Sequence, residues 1–198
     1  MSKPEYLTGI GLDSHAFDTT DKVLTLGGYI VSNEIGLSGN SDGDVILHAI
    51  FNAISNAIGR RSIGFYADDL CLNQNIKDSK KYLDIALIMM SDSKYEISNI
   101  SIVLECKKPK IEPISKEIKS SISNILNLKE DLIGLTATSG EELTAFGQGL
   151  GIQCFCSVLL IKTKPPFYLK PIFILTAITL AAYLYALRYV FNNMDDIF

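Results

Sequence analysis

Two spacings of apolar residues, every second position and every third or fourth, divide the chain into short elements. Tyr95–Glu105 and Gly151–Lys162 alternate and predict strands. Residues 6–11 read as a strand running into Asp13, 22–31 as a second strand and 132–138 as another. Inside 22–31, Gly27-Gly28 marks a bulge or a close backbone approach. Helical spacing holds where Val45, Ile46 and Leu47 are followed by Ala49, Ile50, Ala53, Ile54 and Ala57, stopping near Gly59. Ser41 and Asp44, three apart ahead of this run, have capping-box spacing, so the helix is expected to start at Asp44. A second helix opens at Asp78-Ser79 and carries Tyr82, Leu83, Ile85, Ala86 and Met89; residues 114–126 form a third, and a short one begins near Glu141. Residues 36–43 read as a loop, and 62–74, polar and irregular, as a flexible one.

That order implies an α/β (α+β) fold class: a mixed sheet with helices packed on one face, the other face left to be covered. The body spans 1–164 and a C-terminal hydrophobic tail 165–198. Residues 171–187 form a run of 17 uncharged positions, ~26 Å long as a helix and slightly short of the ~30 Å of a hydrocarbon core. Arg188 can snorkel, and residues 189–191 extend the run. Lys162, Lys164 and Lys170 precede it and Asp195 and Asp196 follow, so the positive-inside bias would keep the body cytoplasmic, tethered by residues 171–191. A helix packed on the body or between subunits, or an extension without a role, are the alternatives.

Composition narrows the function classes. A chain of 198 residues, 47% hydrophobic, can bury one good core. A net charge of −4 and a pI near 5.2 provide no electrostatic footprint for nucleic acid. Cys71, Cys106, Cys154 and Cys156 show no paired metal or redox spacing and are expected to be reduced and packed. Residues 1–5 contain neither an apolar core of a signal peptide nor an Arg-rich leader, so no secretory or transit peptide is expected.

The chemistry is concentrated at the only two histidines. Asp13 and His15 are two apart and project from one face of an extended segment. His48 sits one turn into the first helix, on the same face as Asp44. Two imidazoles and a carboxylate suit a borderline divalent ion such as zinc, and three protein ligands leave a fourth position open, as at catalytic rather than structural sites.

Gly11, Asp13, His15 and Phe17, followed by Ser41-Asp42-Gly43-Asp44 and His48, resemble the 2-C-methyl-D-erythritol 2,4-cyclodiphosphate synthase family of the non-mevalonate isoprenoid pathway. The resemblance covers most of 7–163. It implies that Asp13, His15 and His48 bind zinc or another divalent ion. Lys108-Pro109-Lys110 is similar to a family segment, usually Ala-Pro-Lys, and Thr136-Ala137-Thr138-Ser139-Gly140-Glu141 to its Ala-Thr-Thr-x-Glu run. By that likeness Pro109, Lys110, Thr138 and Ser139 hold a cytidine diphosphate, Asp44 and Gly64 join the substrate contacts, and Glu141 holds Mg2+ or Mn2+ with the substrate. On residue chemistry alone, Lys110 suits a phosphate as a point charge, and Thr138 and Glu141 also have capping-box spacing.

The resemblance further implies a cytoplasmic phosphorus–oxygen lyase that releases CMP, built as a homotrimer with sites between subunits. Several positions depart from the family pattern. Asn40 stands where histidine is common, Ser62 where an aspartate holds the nucleotide ribose, Glu142 where lysine is frequent, and Gln148 and Leu150 interrupt Gly-Arg-Gly-Glu-Gly. Two other readings remain: a weakened, membrane-tethered relative with a binding or assembly role, and an unrelated zinc hydrolase with Asp44 as its base.

Overall fold

The computed structural model describes residues 4–19, 22–164 and 171–192, without the side chains of 69, 171–174, 177 and 189–192. The chain divides into two units, Met1–Lys162 and Thr163–Phe198. In the first, β1 (Tyr6–Ala16), β4 (Tyr95–Glu105), β5 (Ile133–Thr138) and β6 (Gly151–Lys162) form one sheet in the order β1-β6-β4-β5. β6 is antiparallel to both neighbours and β4 is parallel to β5, so the sheet is mixed, as expected. β2 (Val23–Leu26) and β3 (Tyr29–Ile35) make a separate hairpin.

The core lies between this sheet and α1 (Val45–Ala57), with α3 (Ser79–Asp92) beside α1 and α4 (Ser115–Leu126) against β5 and β3. Alternation along the strands sends Ile100, Ile102, Leu104, Ile152, Cys154, Cys156, Val158 and Leu160 to the helix side, all buried. Each such aliphatic side chain contributes roughly 1.5–3 kcal/mol of transfer free energy. The four cysteines are free thiols; Cys106, Cys154 and Cys156 are buried and Cys71 is half-buried. The opposite sheet face remains open and carries an apolar row: Leu12, Phe155 and Val103 are direct cross-strand neighbours and each is more than 40% exposed.

Three sequence-based expectations change. The strand over 22–31 is a hairpin turned at Gly27-Gly28, whose φ angles of 61° and 77° both lie in the left-handed region a two-residue type I′ turn needs. The loop over 62–74 contains a helix, α2 (Ile63–Leu72). Its weak periodicity reflects shallow burial: Ala67 is buried while Ile63, Tyr66, Leu70 and Cys71 are half-buried against the core. Asn52 Oδ1 accepts from Ile63 N at 2.9 Å and so satisfies a donor at the start of α2. The cap of α1 is Asp44 itself, which accepts from Ile46 N and Leu47 N, whereas Ser41 Oγ accepts from Gly43 N in the loop before it and lies 3.5 Å from His48 Nε2.

The second unit holds α5 (Pro171–Asn192). The expected span over 171–191 is therefore helical, but among the described residues no helix is long and apolar enough to cross a membrane. Lys170, Asp195 and Asp196, which set the expected orientation of that span, lie outside the described residues.

Candidate metal centre and nucleotide pocket

The Asp13–His15–His48 cluster forms because α1 approaches β1 closely. Gly9, Gly11, Asp13 and His15 alternate along one face of β1, and Ala49, Ala53 and Ala57 form a stripe on α1. A Cβ on Gly11 would overlap the backbone of Ala49 and Ala53; one on Gly9 would sit 2.8 Å from Ala57 Cβ. With hydrogens in place of side chains, the helix lies directly on the strand, and its first turn carries His48 over Asp13 and His15.

Asp13 Oδ2 is 2.9 Å from His48 Nδ1 and 3.0 Å from His15 Nε2, and the two nitrogens are 3.3 Å apart. One ligand atom from each of Asp13, His15 and His48 lies within 4.8 Å of the others. Tetrahedral ligands at about 2.0 Å from an ion stand ~3.3 Å from one another, so the spacing and the N,N,O donor set both fit zinc. Burial pushes the Asp13 carboxyl up, but hydrogen bonds from His15 and His48 and their charge outweigh it and hold the group below the usual carboxylate value. His15 is shifted the other way: its hydrogen bond to Asp13 raises it above 6.5, against the effect of burial.

These three side chains open into a cleft of about 190 Å³ lined also by Asn40, Ser41, Gly64, Asp68, Cys71 and Tyr82. Asp68, Cys71 and Tyr82 escaped the sequence reading, the first two because they lie on α2. Lys22 holds the loop on the other side, donating from Nζ to Gly39 O at 2.8 Å and Ser41 O at 3.0 Å.

Asp44 lines neither this cleft nor the cavity at the ends of β4 and β5 described below. It is fully buried, and it accepts from four backbone N–H groups: Gly27 at 2.9 Å, Gly28 at 2.6 Å, and Ile46 and Leu47 at 3.1 Å. Burial pushes its carboxyl up to about 6, with the N–H groups of Gly28, Leu47 and Gly27 opposing. All four of its partners are backbone groups and it does not reach the cleft, so Asp44 is not placed to act as the base of the hydrolase alternative. Its work is to pin the β2–β3 turn to the start of α1.

A second cavity, about 230 Å³, brings together Cys106, Pro109, Lys110, Thr138 and Ser139 at the ends of β4 and β5. The parallel pairing Glu105↔Thr138 places those two strand ends side by side. Pro109 is buried, Lys110 and Thr138 are exposed, and Thr138 Oγ1 accepts from Gly140 N at 3.1 Å. Glu141, also exposed, lies in a 3-10 turn, Gly140–Glu142, with φ of 49°, and lines neither cavity. The extra negative charge at Glu142 is matched locally: Lys107 Nζ is 2.9 Å from Glu142 Oε1, and that contact lowers the Glu142 carboxyl below its usual value. Gln148 Nε2 donates to Glu142 O at 3.1 Å.

Comparison with known proteins agrees with this geometry. The sequence pattern of the YgbB family matches residues 6–161. The 2-C-methyl-D-erythritol 2,4-cyclodiphosphate synthase of Chlamydia trachomatis serovar A is 42% identical over 159 residues, covering 79% of this chain and 89% of its own. That of Chlamydia muridarum is 41% identical over 162 residues, covering 81% and 90%. Among solved structures, IspF of Plasmodium falciparum in complex with CDP superposes with a TM-score of 0.71 at 31% identity, over 82% of this chain and all of that one. The bifunctional IspDF of Campylobacter jejuni gives 0.75 at 31% identity, over 81% of this chain and 43% of the larger protein. With its pattern matched over nearly the whole first unit and an Asp-His-His cluster where that unit's helix meets its edge strand, the chain belongs to the YgbB family.

Proposed function

We propose that this protein is a phosphorus–oxygen lyase of isoprenoid precursor biosynthesis, converting 4-diphosphocytidyl-2-C-methyl-D-erythritol 2-phosphate to 2-C-methyl-D-erythritol 2,4-cyclodiphosphate and CMP. An oxygen of the 2-phosphate forms a bond to the β-phosphorus, and the bond from that phosphorus to the oxygen of the CMP leaving group breaks. The observation that carries the reading is the convergence of Asp13 Oδ2, His15 Nε2 and His48 Nδ1 in an open cleft. A divalent ion held there supplies positive charge that offsets phosphate–phosphate repulsion and polarises a phosphoryl oxygen.

The nucleophile is already an anion and the leaving group a phosphate, so no protein nucleophile or strong base is needed. The remaining work is positioning, worth roughly 7–11 kcal/mol in favourable cases. Lys110 places a point charge at the mouth of the second cavity, where Pro109, Thr138 and Ser139 contribute backbone and hydroxyl contacts for the cytidine diphosphate. Gly64, in the wall of the first cleft, admits the substrate's backbone-close approach. Asp44 serves the substrate indirectly, through the turn and helix it ties together. Glu141, exposed beside the Thr138-Ser139 segment, would be the carboxylate that holds Mg2+ or Mn2+, which would supply positive charge against the diphosphate. Zinc is assigned to the triad from its donor set, and a homotrimer is supported by the row Leu12, Phe155, Val103 on the open sheet face.

The test is product analysis on the full-length protein with zinc and magnesium. CMP and cyclic diphosphate are expected in equal amounts and neither after chelation; CMP without the cyclic product, or no CMP at all, overturns the assignment.

A further inference from the structure

Beyond the three ligands, His48 has an arrangement at its other ring nitrogen that the reaction has not yet used. His48 Nε2 lies 2.8 Å from Ser79 Oγ, and the Ser79 hydroxyl donates to Asp42 Oδ1. The other Asp42 oxygen, Oδ2, accepts from Ser79 N at 3.1 Å. Ser79 is 1% exposed and His48 6%. A serine hydroxyl has one proton and acceptor lone pairs. Since its proton goes to the Asp42 carboxylate, the lone pair turned toward His48 requires an N–H on Nε2. With the Nε2 proton fixed in this way, Nδ1, which shares a proton with Asp13 Oδ2 at 2.9 Å in the metal-free chain, is the nitrogen whose lone pair a cation takes in place of that proton.

Helix capping does not account for the hydroxyl. α3 has its own cap in Asp78, which accepts from Lys80 N at 2.9 Å, and the Ser79 backbone N–H is met by Asp42. The Oγ is therefore free of any duty at the helix end, yet it is aimed at an imidazole from a different helix. Asp42 belongs to the loop before α1, and its backbone N–H donates to Lys77 O at 2.9 Å, so the relay also joins that loop to the start of α3.

We propose that Ser79 and Asp42 are positioning residues which hold His48 in the Nε2–H tautomer and fix its ring so that Nδ1 is presented to a divalent cation. The inference rests on the reading of Asp13, His15 and His48 as metal ligands. Outer-shell partners of this kind usually set metal affinity by roughly 10–100-fold.

The experiment uses the full-length chain, with zinc affinity from chelator competition, the visible spectrum of the cobalt-substituted protein, and the melting temperature of the metal-free form. Ser79→Ala is expected to weaken zinc binding roughly 10–100-fold and to change the cobalt spectrum; Ser79→Thr, which restores a hydroxyl, is expected to recover both. A Ser79→Ala protein with native zinc affinity and an unchanged cobalt spectrum overturns the proposal, as does one that only melts at lower temperature. Should the threonine methyl disturb α3, the pair Asp42→Asn and Ser79→Ala decides. A double variant no weaker than the worse single supports one relay, and fully additive losses overturn it. If the native chain takes up neither zinc nor cobalt, the metal reading itself fails and takes this inference with it. If the native chain binds and Ser79→Ala binds equally well, only the relay is lost.

Discussion

Asp13→Asn isolates the metal linkage, because it keeps the shape of the side chain while removing the anionic oxygen shared by both imidazoles. In the native chain that oxygen stands 2.9 Å and 3.0 Å from the two ring nitrogens. An ion that binds only the folded state at 100 times its dissociation constant stabilises by about 2.7 kcal/mol. For a unit of the size of Met1–Lys162, each kcal/mol moves the melting temperature by about 2–4 °C, so zinc should raise it by roughly 5–11 °C. Outer-shell changes alone cost 10–100-fold in affinity, and loss of one of three direct ligands should cost at least about 100-fold. At the same free zinc the variant is then near half-saturated, with a gain of about 0.4 kcal/mol and a shift of only about 1–2 °C. Differential scanning calorimetry with buffered zinc and with chelator measures both shifts. An Asp13→Asn protein whose zinc shift equals the native one refutes the ligand assignment, whatever its stability without metal.

Four further outcomes follow from the same geometry. Without metal, stability should fall as pH rises: His15 is raised above 6.5, so its contribution is complete below that value and lost through the raised one, while the Asp13 contribution, from a lowered group, is lost only on the acid side of 3.8. Zinc should reverse the alkaline slope, since its ligands must be deprotonated; melts between about pH 5 and 8 that slope the same way with and without zinc contradict this. Gly11→Ala forces a methyl into the backbone of α1 and should cost about 1–3 kcal/mol or more, with zinc affinity falling alongside because His48 rides on that helix; denaturant midpoints and chelator competition check the pair. Lys110→Ala should raise the substrate KM about 10–100-fold and leave zinc binding at native strength, because Lys110 lines the other cavity; a parallel loss of zinc would mean the two sites are not separate. Phe155→Asp places a charge in the apolar row of the open sheet face and should convert a sedimenting trimer to monomers, and a native protein that already sediments as a monomer contradicts the trimer.

Local patterning went furthest where one element is decided by its own residues. The strands at Tyr95–Glu105 and Gly151–Lys162 match their expected bounds, because alternate side chains meet a core on one face only. The α1 stretch is apolar at helical spacing and bracketed by its cap, so its bounds were equally plain. Where burial is shallow the signal failed: α2 sinks only Ala67 fully, and its polar exposed face reads as a loop. At Gly27-Gly28 the residue types were noticed, but hairpin or bulge depended on which partner the two N–H groups found, and that partner is Asp44, distant in sequence.

The site divides along the same line. Residue chemistry and spacing alone nominated Asp13, His15 and His48, since imidazole and carboxylate are the side chains a borderline cation selects, and strand and helix periods put each on a definable face. Whether those faces meet was a tertiary matter, decided by Gly9 and Gly11 lying against Ala49, Ala53 and Ala57, a contact between elements that neither segment reveals by itself. Tertiary structure also reassigned Asp44 from the substrate to the backbone and recruited Ser79 and Asp42 to His48, because hydrogen-bond partners are chosen by distance in the folded chain and not by separation along it.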